Sequence, residues 1–209
     1  MDAIMQFSVP MALVDFIPVL LFAAAAVLLQ RDLYNKMSKG AFALFAAGTI
    51  DVIAAGALKA LYKLLYALNV CDFAPLSSMF FPVQSIGFLL AGVGVIAMLV
   101  HRQGETLPAV AAAPVAFSGT FVFVALMMLG LGGMDFGLCA VAKKCKKPGV
   151  IVLFLLSFIC CLGMGYLSSK NFSEASMNWI AEGVNVVGQA LFFVAALLLH
   201  KAGLKDLHI

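Results

Sequence analysis

Asn178, Glu182, Asn185 and Gln189 recur at i, i+4, i+7 and i+11 in the last apolar stretch of the chain. On an α-helix that spacing puts all four on one face. A carboxylate among carboxamides offers several hydrogen-bond acceptors and donors, a surface suited to a small polar solute or a cation and unsuited to lipid tails. Asp15, Asp51 and Gln84 stand in apolar surroundings of the same kind. An Asp at the centre of a membrane helix costs roughly 2.5 to 3.5 kcal/mol on insertion scales, so it is expected to turn inward and find a partner or a task. Asp15 precedes Pro18 by about one turn, and a proline leaves a carbonyl behind it without an N–H, giving a kink or a further acceptor. Asp51 is read as sharing a face with Lys59, about 12 Å along the axis, too far for a direct pair. The candidate binding residues are therefore Asp15, Asp51, Gln84, Glu182, Asn185 and Gln189. The competing expectation is that the polar stripe only holds helices together.

Other chemistry is scarce. No DDxxD-like, HExxH or GxSxG pattern occurs, so no catalytic residues are expected and an enzyme, which here would act on lipids, is the least favoured class. His101 and His200 end their helices beside Arg102 and Lys201, His208 lies in the tail, and no two histidines stand at i, i+3 or i, i+4; no metal site is expected and no cofactor is indicated. The five cysteines form no Cys-x-x-Cys. Cys160 and Cys161 sit in an apolar run, and Cys145, between Lys143, Lys144, Lys146 and Lys147, is a candidate acylation site. No nucleic-acid partner is expected.

The elements that must carry these residues are membrane helices. The chain is 64% hydrophobic and 11% charged with a mean hydropathy of +1.10, against about 25% charged residues in soluble domains. It is expected to be an all-α polytopic membrane protein, a single transmembrane domain over 1–209. Asp2 and no basic residue precede the first apolar run, so that run reads as a retained helix, not a cleaved leader. A hydrocarbon core of roughly 30 Å takes about 20 residues, which 9–29, 41–58, 79–100, 150–167 and 179–199 supply. The stretch 108–142 is long for one helix and short for two. Divided into 108–128 and a short or re-entrant 129–143, with a turn near Gly130-Leu-Gly-Gly133, it makes seven crossings; undivided it makes six.

Charge favours seven. With the N-terminus outside and the C-terminus cytoplasmic, Arg31, Lys36, Lys39, Arg102, the four lysines around Cys145, Lys201 and Lys205 fall inside, leaving Lys59, Lys63 and Lys170 outside. The outer end of the second crossing, with Lys59, Tyr62, Lys63 and Tyr66, reads as an interfacial extension in which lysine stems reach water, and alternatively as a basic binding cluster. An internal echo joins Gln84-x-x-Gly87 to Asn185-x-x-Gly188. It implies a parallel duplication of three helices about a central linker, a 3+1+3 layout similar to that of sugar transporters of the SWEET type and their PQ-loop relatives, whose Pro-Gln dipeptide is replaced here by Pro82-Val83-Gln84.

The expected function is small-solute transport through a polar intramembrane site. The alternative is a receptor-like or structural subunit with membrane-protein partners. Short loops point to a bacterial cytoplasmic membrane.

Overall fold

The computed structural model describes residues 8–100, 120–167 and 175–206. The helices among them are α1 (Val9–Val14), α2 (Phe16–Leu33), α3 (Lys39–Ala67), α4 (Pro75–Ser78), α5 (Phe80–Val100), α6 (Thr120–Lys144), α7 (Pro148–Leu167) and α8 (Ala175–Lys201), with a 3-10 turn at Leu204–Asp206. Six helical segments are long and apolar enough to cross a membrane, α1 with α2 and α4 with α5 each counting as one. The protein is an integral membrane protein of the all-α polytopic class.

Local chemistry sets the boundaries. Ser8 and Ser38 cap α1 and α3, their hydroxyls accepting the N–H groups of Met11 and Ala41 at 3.4 and 3.2 Å. The break between α1 and α2 falls at Asp15. Pro18 has no N–H for the Val14 carbonyl one turn back, so the ladder is weakest there. The tight link from α6 to α7 turns on Lys146, held at φ 54°.

One expectation is corrected. Gly130 to Gly133 make no turn: α6 runs unbroken from Thr120 to Lys144, so 129–143 is not a separate short or re-entrant crossing. Without water to satisfy an opened backbone, a membrane helix keeps its ladder and spends its glycines on close approach instead. A Cβ on Gly130 would lie 2.3 Å from the Leu89 nitrogen, and one on Gly92 would lie 2.3 Å from the Gly130 carbonyl oxygen. The α3–α5 seam closes the same way, Gly48 lying directly against the Gly87 carbonyl. Gly183, by contrast, faces open space and brings no backbone near among the described residues.

The α5–α6 seam also fixes a direction. Gly130 meets Leu89, Gly133 meets Gly92 and Ile96, and Gly137 meets Val95 and Leu99. Residue numbers rise together, so the two helices run parallel and Val100 and Thr120 lie at opposite ends of the bundle. That is the parity a crossing between them requires. The expected linker, with His101, Arg102 and most of 108–128, lies outside the described residues, as do Lys170 and His208.

Six long helices close a ring in the order α2, α3, α5, α6, α7, α8 and back to α2. The α2–α8 seam is parallel too, since Phe22 stacks on Phe192 and Asp32 pairs with His200. Each half of the ring, α2-α3-α5 and α6-α7-α8, is therefore an up-down-up unit, and the halves meet along two parallel seams. At one end of the ring lie Arg31, Lys36, Lys39, Lys143, Lys144, Lys146, Lys147, Lys201 and Lys205; at the other, among the described residues, Lys59 and Lys63 are the cations.

Candidate functional site

A partly open cavity of about 330 Å³ occupies the half of the ring at the end with fewer cations. Its lining repeats between the two units. On α2 and at its start, Asp15, Pro18, Val19 and Phe22 face it; on α6, Val124, Met127, Met128 and Leu131 do so with the same i, i+3, i+4, i+7 spacing. On α5 the lining positions are Phe80, Phe81, Gln84 and Phe88, and on α8 they are Ala181, Glu182, Asn185 and Gln189, again in one register. Gln84 thus stands opposite Asn185, and the glycine three residues after each packs outward against the middle helix of its own unit, Gly87 against Gly48 and Gly188 against Cys160. The short sequence echo falls within a lining whose spacing repeats between the two units.

Asp15, Gln84, Glu182, Asn185 and Gln189 come together around this cavity. Asp51 does not join them. It is half-buried on the α3–α5 seam, its Cβ against Gly87, while Val52, Gly56 and Lys63 carry the cavity face of α3. Eight residues on a 3.6-residue helix leave a rotation of about 80°. The assumed common face of Asp51 and Lys59 is therefore lost.

Lys59 and Lys63 point into the cavity, not along the headgroup level. Lys63 forms an ion pair with Asp15. Lys59 holds its ammonium 3.8 Å from the centroid of the Phe80 ring, a cation–π contact. Tyr62 donates its hydroxyl proton to Asp72 at 3.2 Å, tying α3 to the following loop. Glu182 is 7% exposed, not a solvated mouth residue, and lies within hydrogen-bonding reach of Asp15, with both lysines near enough to act on it electrostatically. Two carboxyl groups and two ammonium groups therefore share one small apolar-walled space. Asp15 Oδ1, Glu182 Oε1 and Gln189 Oε1 accept no hydrogen bond from any described residue. Each is an acceptor, so the arrangement is complementary to a ligand that donates: a hydroxyl, an amine or an ammonium.

Beneath the cavity the ring is shut by aromatics. Phe22 lies edge-on to Phe88 at 5.8 Å and stacks on Phe192 at 5.6 Å, and Phe192 meets Phe154 at 5.5 Å. These four side chains come from four helices. Below them His200 has Nδ1 2.9 Å from Oδ2 of the buried Asp32. Thr49 accepts a 2.7 Å hydrogen bond from Gln30 on the neighbouring helix and donates its own proton to the Phe45 carbonyl. Cys145 is half-buried against the core, and burial pushes its thiol up against the opposing pull of Lys36 and Lys147, which makes it a weaker nucleophile than its lysine-rich surroundings suggest.

Asp135 also escaped the sequence reading. It is fully buried in α6, and neither carboxyl oxygen has a hydrogen-bond partner among the described residues. The rule that singled out Asp15 applies equally to it. Expecting a turn at Gly130 to Gly133 placed it in a short or re-entrant segment, 129–143, and not in the middle of a long membrane helix. Compared with protein-family models, curated proteins and solved structures, the chain matches none.

Proposed function

We propose that this protein is a small-solute transporter of a bacterial cytoplasmic membrane, with the basic end of the ring facing the cytoplasm and the cavity open to the outside. The observation that carries it is the set of acceptors on Asp15, Glu182 and Gln189 that have no partner among the described residues, around a partly open cavity with Phe22, Phe88, Phe154 and Phe192 packed together at its inner side. A cavity of about 330 Å³ is at the small end of the ligand-site range of about 300 to 1,000 Å³. Its walls of Phe80, Phe88, Met127 and Met164 suit an apolar body. Its acceptors suit a hydroxyl or ammonium group on that body. Segregation of Lys and Arg supports the orientation, the parallel α5–α6 pair supports seven crossings, and the short links, such as the one between Lys144 and Pro148, support a bacterial host.

Transport needs the closed end to open. The two three-helix units are the natural moving bodies, because within each the helices alternate in direction and between them the contacts form two seams. Parting the seams would separate Phe22, Phe88, Phe154 and Phe192 and break Asp32 from His200. The test is thermal stability of the purified protein against a panel of small amines, amino acids, polyols and sugars, repeated with Glu182→Gln. The expected result is a rise in melting temperature with one class of solute that the variant loses while retaining its own stability. A flat panel with a destabilised variant would make the polar cluster structural and turn attention to membrane-protein partners.

A further inference from the structure

We propose that Asp135 is a proton-binding site served by the cavity, the place where this protein holds an exchangeable proton beside its solute. The inference deepens the transporter proposal, on which the use of that proton rests.

Three observations carry it. First, an acid with 0% exposure and two unpartnered oxygens sits in the middle of a membrane-spanning helix. A bare carboxylate there has neither donor nor counter-charge among the described residues, so the group requires a proton or a cation. Second, the helical register points it at the cavity floor. Val124, Met127, Met128 and Leu131 line the cavity, and the next position on that stripe, one turn deeper, is Asp135. Third, Cys161 of α7 both lines the cavity and lies within electrostatic range of Asp135, bridging the floor and the acid.

The groups around it leave the proton as the charge-balancing partner. On its own helix Cys139 stands one turn on and interacts with it. On α7 the titratable groups are Cys160 and Cys161 and, at the far end, Tyr166; α5, packed along the other side, has no titratable side chain over its whole length. Among the described residues no ammonium or guanidinium interacts with Asp135, in contrast to Asp15, which has Lys63. The step is a proton transfer and nothing else: a hydronium of the cavity breaks one O–H bond and is left as water, an O–H bond forms at one Oδ, and the carboxylate charge is cancelled. Release reverses it.

The test is infrared spectroscopy of the full-length protein in nanodiscs of neutral phospholipid. The wild type minus Asp135→Asn difference spectrum is expected to show one protonated-carboxyl C=O band that shifts when H₂O is replaced by D₂O, with both proteins equally helical. Absence of that band would overturn the proposal. So would a band that does not shift in D₂O, or one lost on adding sodium chloride at constant pH, which would make the site a cation site. If the Asn variant does not fold, wild-type protein treated with dicyclohexylcarbodiimide is expected to acquire an adduct mapped to the α6 peptide holding Asp135. Absence of an adduct would then overturn it. None of these readouts depends on a solute, so a flat solute panel beside a D₂O-sensitive band would contradict transport and leave the proton site standing.

Discussion

The two ends of this helical ring are built from the same repeated unit and do opposite things. At one end the helices part around two carboxyl and two ammonium groups; at the other they close on four phenylalanines and one carboxylate–imidazole pair. The units supply the same lining positions but different residues: Phe81 and Phe88 on α5 occupy the places that Glu182 and Gln189 hold on α8, and Asp15 the place that Val124 holds on α6. The shared spacing frames the cavity, and the residues that differ between the units give it its polar groups. The lesson is that backbone symmetry positions a site while asymmetric side chains give it chemistry.

That contrast can be broken most severely at the seam. Gly130→Leu forces a side chain into the backbone of Leu89, so both ends should be lost together and size-exclusion chromatography should show no folded species. Phe192→Ala acts on the closed end. It removes the ring that links Phe22 to Phe154, and denaturation should show a loss of about 3 to 5 kcal/mol. His200→Ala leaves the buried Asp32 without its imidazole, and a loss of about 1 to 3 kcal/mol is expected in the same measurement. Asp51→Asn should be the mildest, within about 1 kcal/mol and without effect on any solute-induced rise in melting temperature, because Asp51 faces the seam and not the cavity. If Asp51→Asn instead removed that rise, the cavity assignment would be wrong.

Much of this was legible in the residues. The α8 stripe was, because i, i+4, i+7, i+11 spacing of polar groups in an apolar helix has one physical outcome in a bilayer. The repeat was visible through Gln84 and Asn185, and the charge asymmetry through the lysines around Cys145. Lys59 and Lys63 were legible as a pair, but the choice between interface and cavity depended on the direction α3 faces, which their own spacing does not contain. Asp51 was misplaced by a phase error accumulated over two turns. The pairing of Asp32 with His200 joins the first and last long helices, and no local pattern announces a contact so distant in sequence. Asp135 was hidden by glycines expected to turn the chain and used instead to pack it.

The central claim is that water and solute reach this cavity from one side of the membrane only. In a background with the five native cysteines replaced, a single cysteine at Gln84 should be challenged with a membrane-impermeant thiol reagent in sealed, oriented vesicles. The account predicts modification from the side of Lys59 and Lys63 and none from the side of Lys147 and Lys201. Modification from the lysine-rich side alone would contradict it.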